Sequence, residues 1–401
     1  MEYNPICLAE QMRDEFMNDI LPFWSIRMKD PAGGFYGLVD GNGKTDPEAV
    51  KGAILNARIL WTFSSAWRVF GDRRCPETAE RAFEYIKGHF LDREYGGVYW
   101  SVDASGMPAD TRKQFYAIAF TIYGMAEYYR AAGNREALDI AAGLFLDIEN
   151  HSFDRKDGGY LEAAARDWSA IADMRLSEKD RNDARTMNTH LHILEAYASL
   201  YRVWKDSRLE AALRNIIRIF LDRIVRPDGH LGLFFTENWE STDTTISYGH
   251  DIEASWLLCE AADVLGDIDL REEVVRTSIR IAEAAMEGFS PEGGMVNECN
   301  PEEGRKDSGR DWWVQAETVI GCFNQYQLTG ERLWLDRAAS AWAFIKARII
   351  CPDGEWYWSV HPSGEGFIAD TVNDRAGFWK CPYHNGRMCM EMIERHRSSA
   401  L

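Results

Sequence analysis

The sequence lacks any Cys-x-x-Cys pair, any long apolar run and any His-Glu-x-x-His motif. Its eight cysteines stand apart, at positions 7, 75, 259, 299, 322, 351, 381 and 389. This scatter favours reduced thiols in a cytoplasmic protein over a disulfide framework. Because no run of about 18 apolar residues is present, no membrane span is expected. The missing zinc-protease motif argues against that class of metal site.

A signal peptide and a nucleic-acid partner are also disfavoured. Glu10, Arg13 and Asp14 place charges near the start of the chain, where a leader would be apolar. The chain has 64 acidic against 45 basic residues and a net charge of −19. Phosphate binding needs clustered Lys and Arg instead. The chain is instead rich in aromatic residues, with 15 Trp, 16 Tyr and 19 Phe. Aromatic faces beside a cleft are suited to binding sugar rings.

A short turn rich in glycine and aromatic residues recurs six times along the chain. Its first glycine stands at positions 33, 96, 158, 229, 293 and 354, so the spacings are 63, 62, 71, 64 and 61 residues. A period of this length indicates one supersecondary unit used six times.

Between these turns the sequence predicts pairs of helices. Apolar residues over 254–265 follow one helical face, and Gly266 then supplies a C-terminal stop. The same stop recurs at Gly71, Gly133 and Gly330. Six pairs give about twelve helices that must bury their faces on one another. We predict an all-α fold, an (α/α)6 barrel with inner and outer rings, as a single domain over residues 1–401.

An open superhelical solenoid is the alternative architecture. The closed ring is favoured because neither end of the chain carries an obviously polar capping unit. Three segments, 160–186, 294–311 and 359–377, are longer than the other connections and lead into predicted inner helices. Loops of this length often carry binding functions, and these should crowd one mouth of the barrel.

Polar residues break the apolar pattern at the start of each predicted inner helix. In chain order they are Asn56 and Arg58; Tyr116; Asn188, His190 and His192; His250 and Glu253; Trp312, Trp313 and Glu317; and Trp379, His384, Asn385 and Arg387. Six helix starts facing one axis would gather these side chains into a single pocket, which is the default position for a site.

The histidines are the sharpest part of this pattern. His192, His250 and His384 fall at the same phase of the repeat, and His192 and His250 each precede a glutamate by three residues, Glu195 and Glu253, on one helix face. The positive end of a helix dipole disfavours imidazolium. We therefore expect neutral imidazoles, the state that a general base requires.

Other interpretations compete at several of these positions. His190 alternates with His192, so we assign it a structural role. The His-x-x-Glu pairs resemble di-iron ligands, but such bundles need further glutamates, and acid–base chemistry is preferred to a metal. Trp312, Trp313 and Trp379 are either core residues or sugar-stacking faces. Arg58 and Arg387 either pair with Glu253 or Glu317, or stabilise negative charge on a sugar oxygen.

At these residues the chain resembles the cellobiose 2-epimerases of the N-acylglucosamine 2-epimerase superfamily. The resemblance is carried by segments 52–63, 110–113 with Tyr116, 187–192, 249–256, 312–317 and 378–387, and it extends from about residue 20 to residue 394. It implies an (α/α)6 barrel and epimerisation at C2 of a reducing-end glucose without a cofactor or metal. Its substrates are disaccharides such as cellobiose and lactose.

The resemblance also implies roles for individual residues. The two catalytic histidines match His250 and His384, and a third active-site histidine matches His192. The sugar-binding residues match Arg58, Tyr116, Asp180, Asn188, Glu253, Trp313 and Trp379, to which we add Trp312 and Arg387 from their place in the repeat. Aldose–ketose isomerases and monosaccharide or N-acylglucosamine epimerases of the same superfamily remain alternatives. More distant ones are a glycoside hydrolase that uses Glu253, Glu317 or Asp180, and a non-catalytic sugar-binding protein.

Overall fold

The computed structural model describes residues 4–178, 180–364 and 366–399. The ends of the predicted domain, residues 1–3 and 400–401, lie outside these ranges, as do single positions in two long loops. The described part of the chain contains twelve α-helices: α1 (Pro5–Glu15), α2 (Ala53–Phe70), α3 (Arg74–Tyr85), α4 (Phe115–Ala132), α5 (Arg135–His151), α6 (Met187–Val203), α7 (Ser207–Ile219), α8 (Tyr248–Leu265), α9 (Ile268–Ala285), α10 (Trp312–Thr329), α11 (Arg332–Phe344) and α12 (Tyr383–Ser399).

The even-numbered helices form a closed inner ring. Each packs on the next, from α2 through α4, α6, α8 and α10 to α12, and α12 packs back on α2. Each odd-numbered helix from α3 to α11 covers the inner helix before it, and α1 covers α12. The first and last helices of the chain thus complete one unit. The predicted (α/α)6 barrel is confirmed, and the open solenoid is wrong because the ring closes.

Burial separates the two rings. Outer helix α7 is amphipathic, with Leu209, Leu213 and Ile216 buried. Inner helix α8 is different, because nearly every residue from Tyr248 to Ala262 is buried. The single apolar face predicted over 254–265 was therefore too narrow. An inner helix contacts two ring neighbours, an outer helix and the barrel axis, so no face of it is left for solvent.

The glycines that punctuate the sequence have the conformations their places require. Gly71, Gly133, Gly266 and Gly330 cap α2, α4, α8 and α10 with φ of 70°, 68°, 79° and 73°. This left-handed conformation is cheap only for glycine. Inner helix α6 has no glycine at this position, because its C-terminal cap is Trp204. The four predicted helix stops are confirmed.

The six Gly-aromatic turns form six equivalent hairpins. In each, a β-bridge joins the residues that flank the turn: Lys29 to Phe35, Leu91 to Val98, Phe153 to Tyr160, Val225 to Leu231, Phe289 to Met295, and Ile350 to Trp356. The sixth turn departs from the pattern, because Glu355 adopts a φ of 63° beside Gly354. Its buried carboxylate accepts hydrogen bonds from Trp24, Lys380 and Asn385, which hold this residue in a costly conformation.

Short antiparallel strands line the mouth at which the inner helices begin. They are β1 (Leu38–Val39), β2 (Thr45–Asp46), β3 (Lys51–Gly52), β4 (Ser101–Val102), β5 (Pro108–Asp110), β6 (Lys113–Gln114), β7 (Ala163–Ala164), β8 (Arg185–Thr186), β9 (Phe234–Phe235), β10 (Ile246–Ser247), β11 (Glu298–Asn300), β12 (Arg305–Asp307), β13 (Arg310–Asp311), β14 (Ser359–Ser363) and β15 (Gly366–Ala369). The strand before an inner helix pairs with the strand after the next hairpin, as β3 does with β4 and β13 with β14. A bridge from Val39 to Ala376 closes this circle too.

Ion pairs fix three of the inner-helix starts. Lys51 lies 2.5 Å from Asp30, and Lys113 lies 2.9 Å from Asp92. Arg185 pairs with Asp154 in the equivalent position. In each case a cation two residues before the helix reaches back to the preceding Gly turn. The hairpin and the first turn of the inner helix are therefore positioned together.

Two expectations from composition can be compared with the structure. All eight cysteines are free thiols, as expected. Within the described ranges, no helix combines the length and the apolar character that crossing a membrane requires.

Candidate active site

A cavity of about 620 Å³ opens at the mouth where the inner helices begin. Its walls are formed by Arg58, Tyr116, Asn188, His192, His250, Glu253, Trp312, Trp313, Trp358, Trp379 and His384. All six inner-helix starts or the segments just before them contribute to this set. Ten of these eleven side chains were predicted from the sequence to converge, so the structure brings together most of the predicted site.

Each of the three cavity histidines has its Nδ1 atom held by another side chain. His384 Nδ1 lies 2.7 Å from Glu317 Oε1, and His192 Nδ1 lies 3.0 Å from Glu195 Oε2. His250 Nδ1 lies 2.8 Å from the hydroxyl of Ser247. A carboxylate accepts the Nδ1 proton, so Nε2 of His384 and of His192 carries the lone pair when the ring is neutral.

The predicted neutral state of these imidazoles has a physical basis in burial. Burial lowers the pKa of His250 to about 3, and the nearby His192 acts in the same direction. The pKa of His384 is lowered well below its usual range by burial and then by the positive charges of Arg58 and Arg387. Burial is thus the largest cause of the lowered pKa values, because taking a charged ring out of water is costly, and the positive end of the helix dipole acts in the same direction.

The histidines do not occupy equivalent helix positions. His384 and His250 are the second and third residues of α12 and α8, but His192 is the sixth residue of α6. The sequence predicts the same position in the repeat for all three, but His192 lies about one helical turn further along its helix than the other two. His192 therefore lies deeper along its helix, where its ring meets Tyr116 at a centroid distance of 4.9 Å.

Arg58 is the cation that lines the cavity. It donates a hydrogen bond of 2.8 Å to the hydroxyl of Tyr116, and its guanidinium lies 4.1 Å from the ring centre of Phe120 and 4.7 Å from that of Tyr383. It makes no carboxylate salt bridge within the described residues. Its Nε has no hydrogen-bond partner. Its charge is therefore available to a ligand in the cavity.

Arg387 lies beneath the cavity and not on its wall. The side chain is completely buried and donates to Glu253 at 2.6 Å, to Glu317 at 2.7 Å and to Glu195. The rings of Trp256 and Tyr383 cover its guanidinium at 4.7 and 4.2 Å. Of the two roles considered for Arg387, pairing with Glu253 and Glu317 is what the structure contains. Direct contact with a substrate, the other role, has no support in this geometry.

This arrangement also decides against a metal at the same place. Donor atoms of Glu253, Glu317 and His384 lie within 4.8 Å of one another. However, Arg387 Nη2 contacts one oxygen of each carboxylate, and His384 Nδ1 contacts the oxygen of Glu317 that Arg387 also uses. The guanidinium occupies the place of a cation, and the residues do not fit a metal centre.

Indole rings form much of the cavity wall. Trp313 lies beside two of the histidines, with its ring centroid 4.8 Å from that of His250 and 5.7 Å from that of His384. Trp313 and Trp379 remain partly exposed to the cavity, as a stacking face for a sugar requires. Two buried polar atoms on the wall, Trp312 Nε1 and Asn188 Oδ1, have no hydrogen-bond partner. They offer one donor and one acceptor to a polar ligand.

Asp180 lies outside the main cavity, in an adjoining one of about 570 Å³. Asn188 and His250 line both cavities, so the two lie next to each other. Asp180 belongs to the long loop before α6, and its carboxylate accepts a 2.8 Å hydrogen bond from the amide of Ser177. The prediction of loops beside the site holds for this loop, since Met174 also lines the adjoining cavity.

Two contributors to the site were missed in the sequence. Trp358 follows the sixth Gly turn and lines the cavity. The letters Tyr-Trp after both the second and the sixth turn, ending in Trp100 and Trp358, are the signal that could have found it. Tyr383 donates to Glu195 at 2.5 Å, and no pattern in the sequence indicates that contact. His190 is structural as expected, because its ring bonds the carbonyl of Thr186 and the amide of Tyr160.

Comparison with known proteins agrees with this geometry. The family model for N-acylglucosamine 2-epimerase (GlcNAc 2-epimerase) matches residues 33–384. Cellobiose 2-epimerase of Bacteroides fragilis is 53% identical over 96% of this chain and 98% of its own, and that of Ruminococcus albus is 40% identical over 97% and 99%. The solved structure of cellobiose 2-epimerase from Bacillus thermoamylovorans superposes with a TM-score of 0.92 at 39% identity, covering 97% of this chain and 99% of that one. The chain therefore belongs to the N-acylglucosamine 2-epimerase family.

Proposed function

We propose that the protein epimerises C2 of the reducing-end glucose in β-1,4-linked disaccharides, converting cellobiose to glucosyl-mannose and lactose to epilactose. The observation that carries this proposal is that His250 and His384 line one cavity, each with its ring beside Trp313. Inversion at one carbon needs a proton acceptor on one face of the intermediate and a proton donor on the other. Two imidazoles in one cavity meet that need.

The proposed reaction begins with opening of the pyranose to the aldehyde. One histidine takes the C2 proton on Nε2, the C–H electron pair becomes the C1–C2 double bond, and the carbonyl oxygen becomes the oxyanion of a cis-enediolate. The other histidine, which carries a proton on Nε2, then gives that proton to the opposite face of C2 as the enediolate electron pair forms the new C–H bond and the carbonyl re-forms. Proton exchange with solvent returns both rings to their starting states. His250 and His384 exchange roles in the reverse direction. No electrons leave the sugar, so the reaction calls for no redox cofactor.

Arg58 and His192 would bind the oxygen end of this intermediate. Arg58 is the cation on the cavity wall that has no carboxylate partner there, so it suits an oxygen on which negative charge develops. Its donation to Tyr116 fixes the guanidinium in one orientation. His192, one turn deeper in its helix, is directed by Glu195, and the lone pair on its Nε2 would accept a hydrogen bond from the sugar hydroxyl next to the carbonyl.

Aromatic walls and the adjoining cavity suit a substrate of two rings. Trp313 and Trp379 offer partly exposed indole faces, and Trp312 Nε1 and Asn188 Oδ1 offer unused hydrogen-bonding atoms. We place the reacting glucose among the histidines. The second ring would extend toward the side where Asp180 lies.

The carboxylates do not favour a glycoside hydrolase. Hydrolases place two carboxyl groups on opposite sides of the scissile bond, about 5–9.5 Å apart. Glu253 and Glu317 instead meet at Nη2 of Arg387, at 2.6 and 2.7 Å, and of the two only Glu253 lines the cavity. They support the histidines and leave no room for a bond between them.

Product analysis with cellobiose, lactose, glucose and mannose as separate substrates tests the proposal. Glucosyl-mannose from cellobiose and epilactose from lactose are the expected products, with slower turnover of the single sugars. Release of free glucose from cellobiose would indicate a hydrolase. A ketose as the main product would indicate an aldose–ketose isomerase, and binding without turnover would indicate a sugar-binding protein.

A further inference from the structure

We propose that Arg387 is a positioning residue that keeps His384 in its basic form by sharing the carboxylate to which that histidine is bonded. This inference rests on the proposed function for its catalytic consequence. Its geometry does not depend on that function, because every contact lies within the protein. Arg387 touches no cavity space and is therefore not a catalytic residue.

The first observation is a shared atom. Glu317 Oε1 lies 2.7 Å from His384 Nδ1 and 2.7 Å from Arg387 Nη2. An unshared buried carboxylate would stabilise imidazolium and draw a proton onto the ring. Because the same oxygen also accepts a hydrogen bond from the guanidinium of Arg387, part of the negative charge of Glu317 is neutralised. Glu317 still orients His384 through the Nδ1 hydrogen bond, but it stabilises the imidazolium form of His384 less strongly.

The second observation is that Arg387 joins three inner helices to α12. Its partners Glu195, Glu253 and Glu317 come from α6, α8 and α10, and all are buried. Glu195 in turn holds His192 at 3.0 Å. One guanidinium thus connects the carboxylates behind two of the three cavity histidines, so its charge acts on both.

The third observation is how little freedom the side chain has. The rings of Trp256 and Tyr383 lie 4.7 and 4.2 Å from the guanidinium, and Trp256 Nε1 also donates to Glu317 at 3.0 Å. Arginine supplies a flat, forked cation for such a place, and lysine does not. If Arg387 served only to hold the helices together, it would not need to contact Glu317 Oε1, the oxygen that is bonded to His384.

The charged and titratable groups around His384 come from every inner helix. They are Arg58 of α2, Tyr116 of α4, His192 and Glu195 of α6, His250 and Glu253 of α8, Glu317 of α10, and Tyr383 and Arg387 of α12. Arg58, Arg387 and His192 favour a neutral His384, whereas the three glutamates favour a charged one. Removing Arg387 leaves only Arg58 and His192 acting against three carboxyl groups, so the balance shifts toward a protonated ring.

The test compares Arg387→Gln, Arg387→Lys and wild-type protein by two readouts. One is the pKa of His384 from NMR titration of 15N-histidine-labelled protein, and the other is kcat/KM against pH with cellobiose. Loss of a full charge at this distance should raise the pKa of His384 by about 1 to 3 units and move the acid limb of the profile upward by the same amount. The Lys variant keeps the charge and should leave both within about half a unit, with a lower kcat.

Arg68→Gln is the matched control, because Arg68 also bonds two carboxylates, Glu127 and Glu394, and none of these three lines the active-site cavity. It should leave the pKa of His384 and the pH profile as in the wild type. A folded Arg387→Gln protein with an unchanged pKa and profile would overturn the proposal.

Glu195→Gln keeps the test decisive should Arg387→Gln fail to fold. Loss of the carboxylate at 3.0 Å from His192 should lower the pKa of that ring and reduce kcat about tenfold or more, with KM within about twofold. Wild-type kcat and an unchanged His192 resonance in this variant would contradict the network. If the wild-type protein did not epimerise cellobiose, the proposed function would fail, but the NMR titrations would still decide the role of Arg387.

Discussion

His384 Nδ1 lies 2.7 Å from Oε1 of Glu317, and both side chains are buried. The other proposed catalytic imidazole has a different partner, because His250 Nδ1 faces the hydroxyl of Ser247. A carboxylate stabilises the imidazolium that forms when a base accepts a proton, whereas a hydroxyl can donate or accept. The two histidines would therefore play mirror-image roles in proton transfer, but the protonated form of His384 is stabilised by a carboxylate and that of His250 only by a hydroxyl.

Substitution of either histidine should remove most of the activity. We expect His250→Ala and His384→Ala each to lower kcat by about 10²- to 10⁴-fold, the usual contribution of a general acid or base. His151→Ala is the control, since His151 is exposed at the end of an outer helix. Steady-state kinetics with cellobiose provide the measurement, and full activity in either test variant would remove that residue from the mechanism.

The activity should persist in mild acid. A buried histidine with a lowered pKa stays neutral until the pH falls to that pKa, and the pKa of His250 is about 3 while that of His384 is also well below 6.5. We therefore expect kcat/KM to stay level from pH 8 to at least about pH 5. A profile of kcat/KM against pH checks this, and an acid limb centred near 6.5 would mean that the bases are solvated.

Gly249 should be needed for the position of Trp313. A Cβ atom on Gly249 would lie 2.6 Å from the ring of Trp313 and 2.7 Å from Val314 Cγ2. We expect Gly249→Ala to displace the indole that packs beside the two histidines and to lower kcat by about 10- to 100-fold. Gly143→Ala is the matched control, because that helical glycine has nothing within 4 Å of its Cβ position. It should stabilise the protein by about 0.4–1 kcal/mol with kcat unchanged.

A buried carboxyl beside the site should make stability depend on pH. Burial raises the pKa of Glu162 from 4.5 to about 8, although Thr186 and Thr189 donate hydrogen bonds to it. A raised carboxyl pKa contributes stability that is complete below pH 4.5 and is lost as the pH rises through 8. Between pH 6 and pH 7, the loss of unfolding free energy with rising pH, measured by urea unfolding, should be smaller in Glu162→Gln than in the wild type by about 1.4 kcal/mol per pH unit. Equal pH slopes in both proteins would contradict this.

The six-fold repeat of the sequence predicts the ring of helices. The polar residues that interrupt the apolar pattern at the inner-helix starts predict the site. Gly71 and Gly266 predicted the ends of two helices, and the polar residues at the helix starts predicted Arg58, His250 and His384 as site residues. These features are local, since each depends on one turn or one helix. They predict helix pairs that must pack on their neighbours, and the absence of an obviously polar capping unit favoured the closed ring over an open solenoid.

Contacts between distant helices could not be predicted in the same way. Arg387 was expected to face either a sugar or the glutamates, and only the packing of α6, α8 and α10 around α12 decides between them. The buried pairs of Lys51 and Lys113 were missed because their partners lie 21 residues away in the preceding hairpins. Burial around His250, rather than its helix position, sets its pKa.

The central claim is that His250 and His384 move protons on opposite faces of C2. Incubation of cellobiose with the protein in deuterated water, followed by NMR analysis of the product, tests it most directly. The incoming proton would come from a histidine that exchanges with solvent, so the account predicts glucosyl-mannose with deuterium at C2. Glucosyl-mannose that retains only protium at C2 would contradict it.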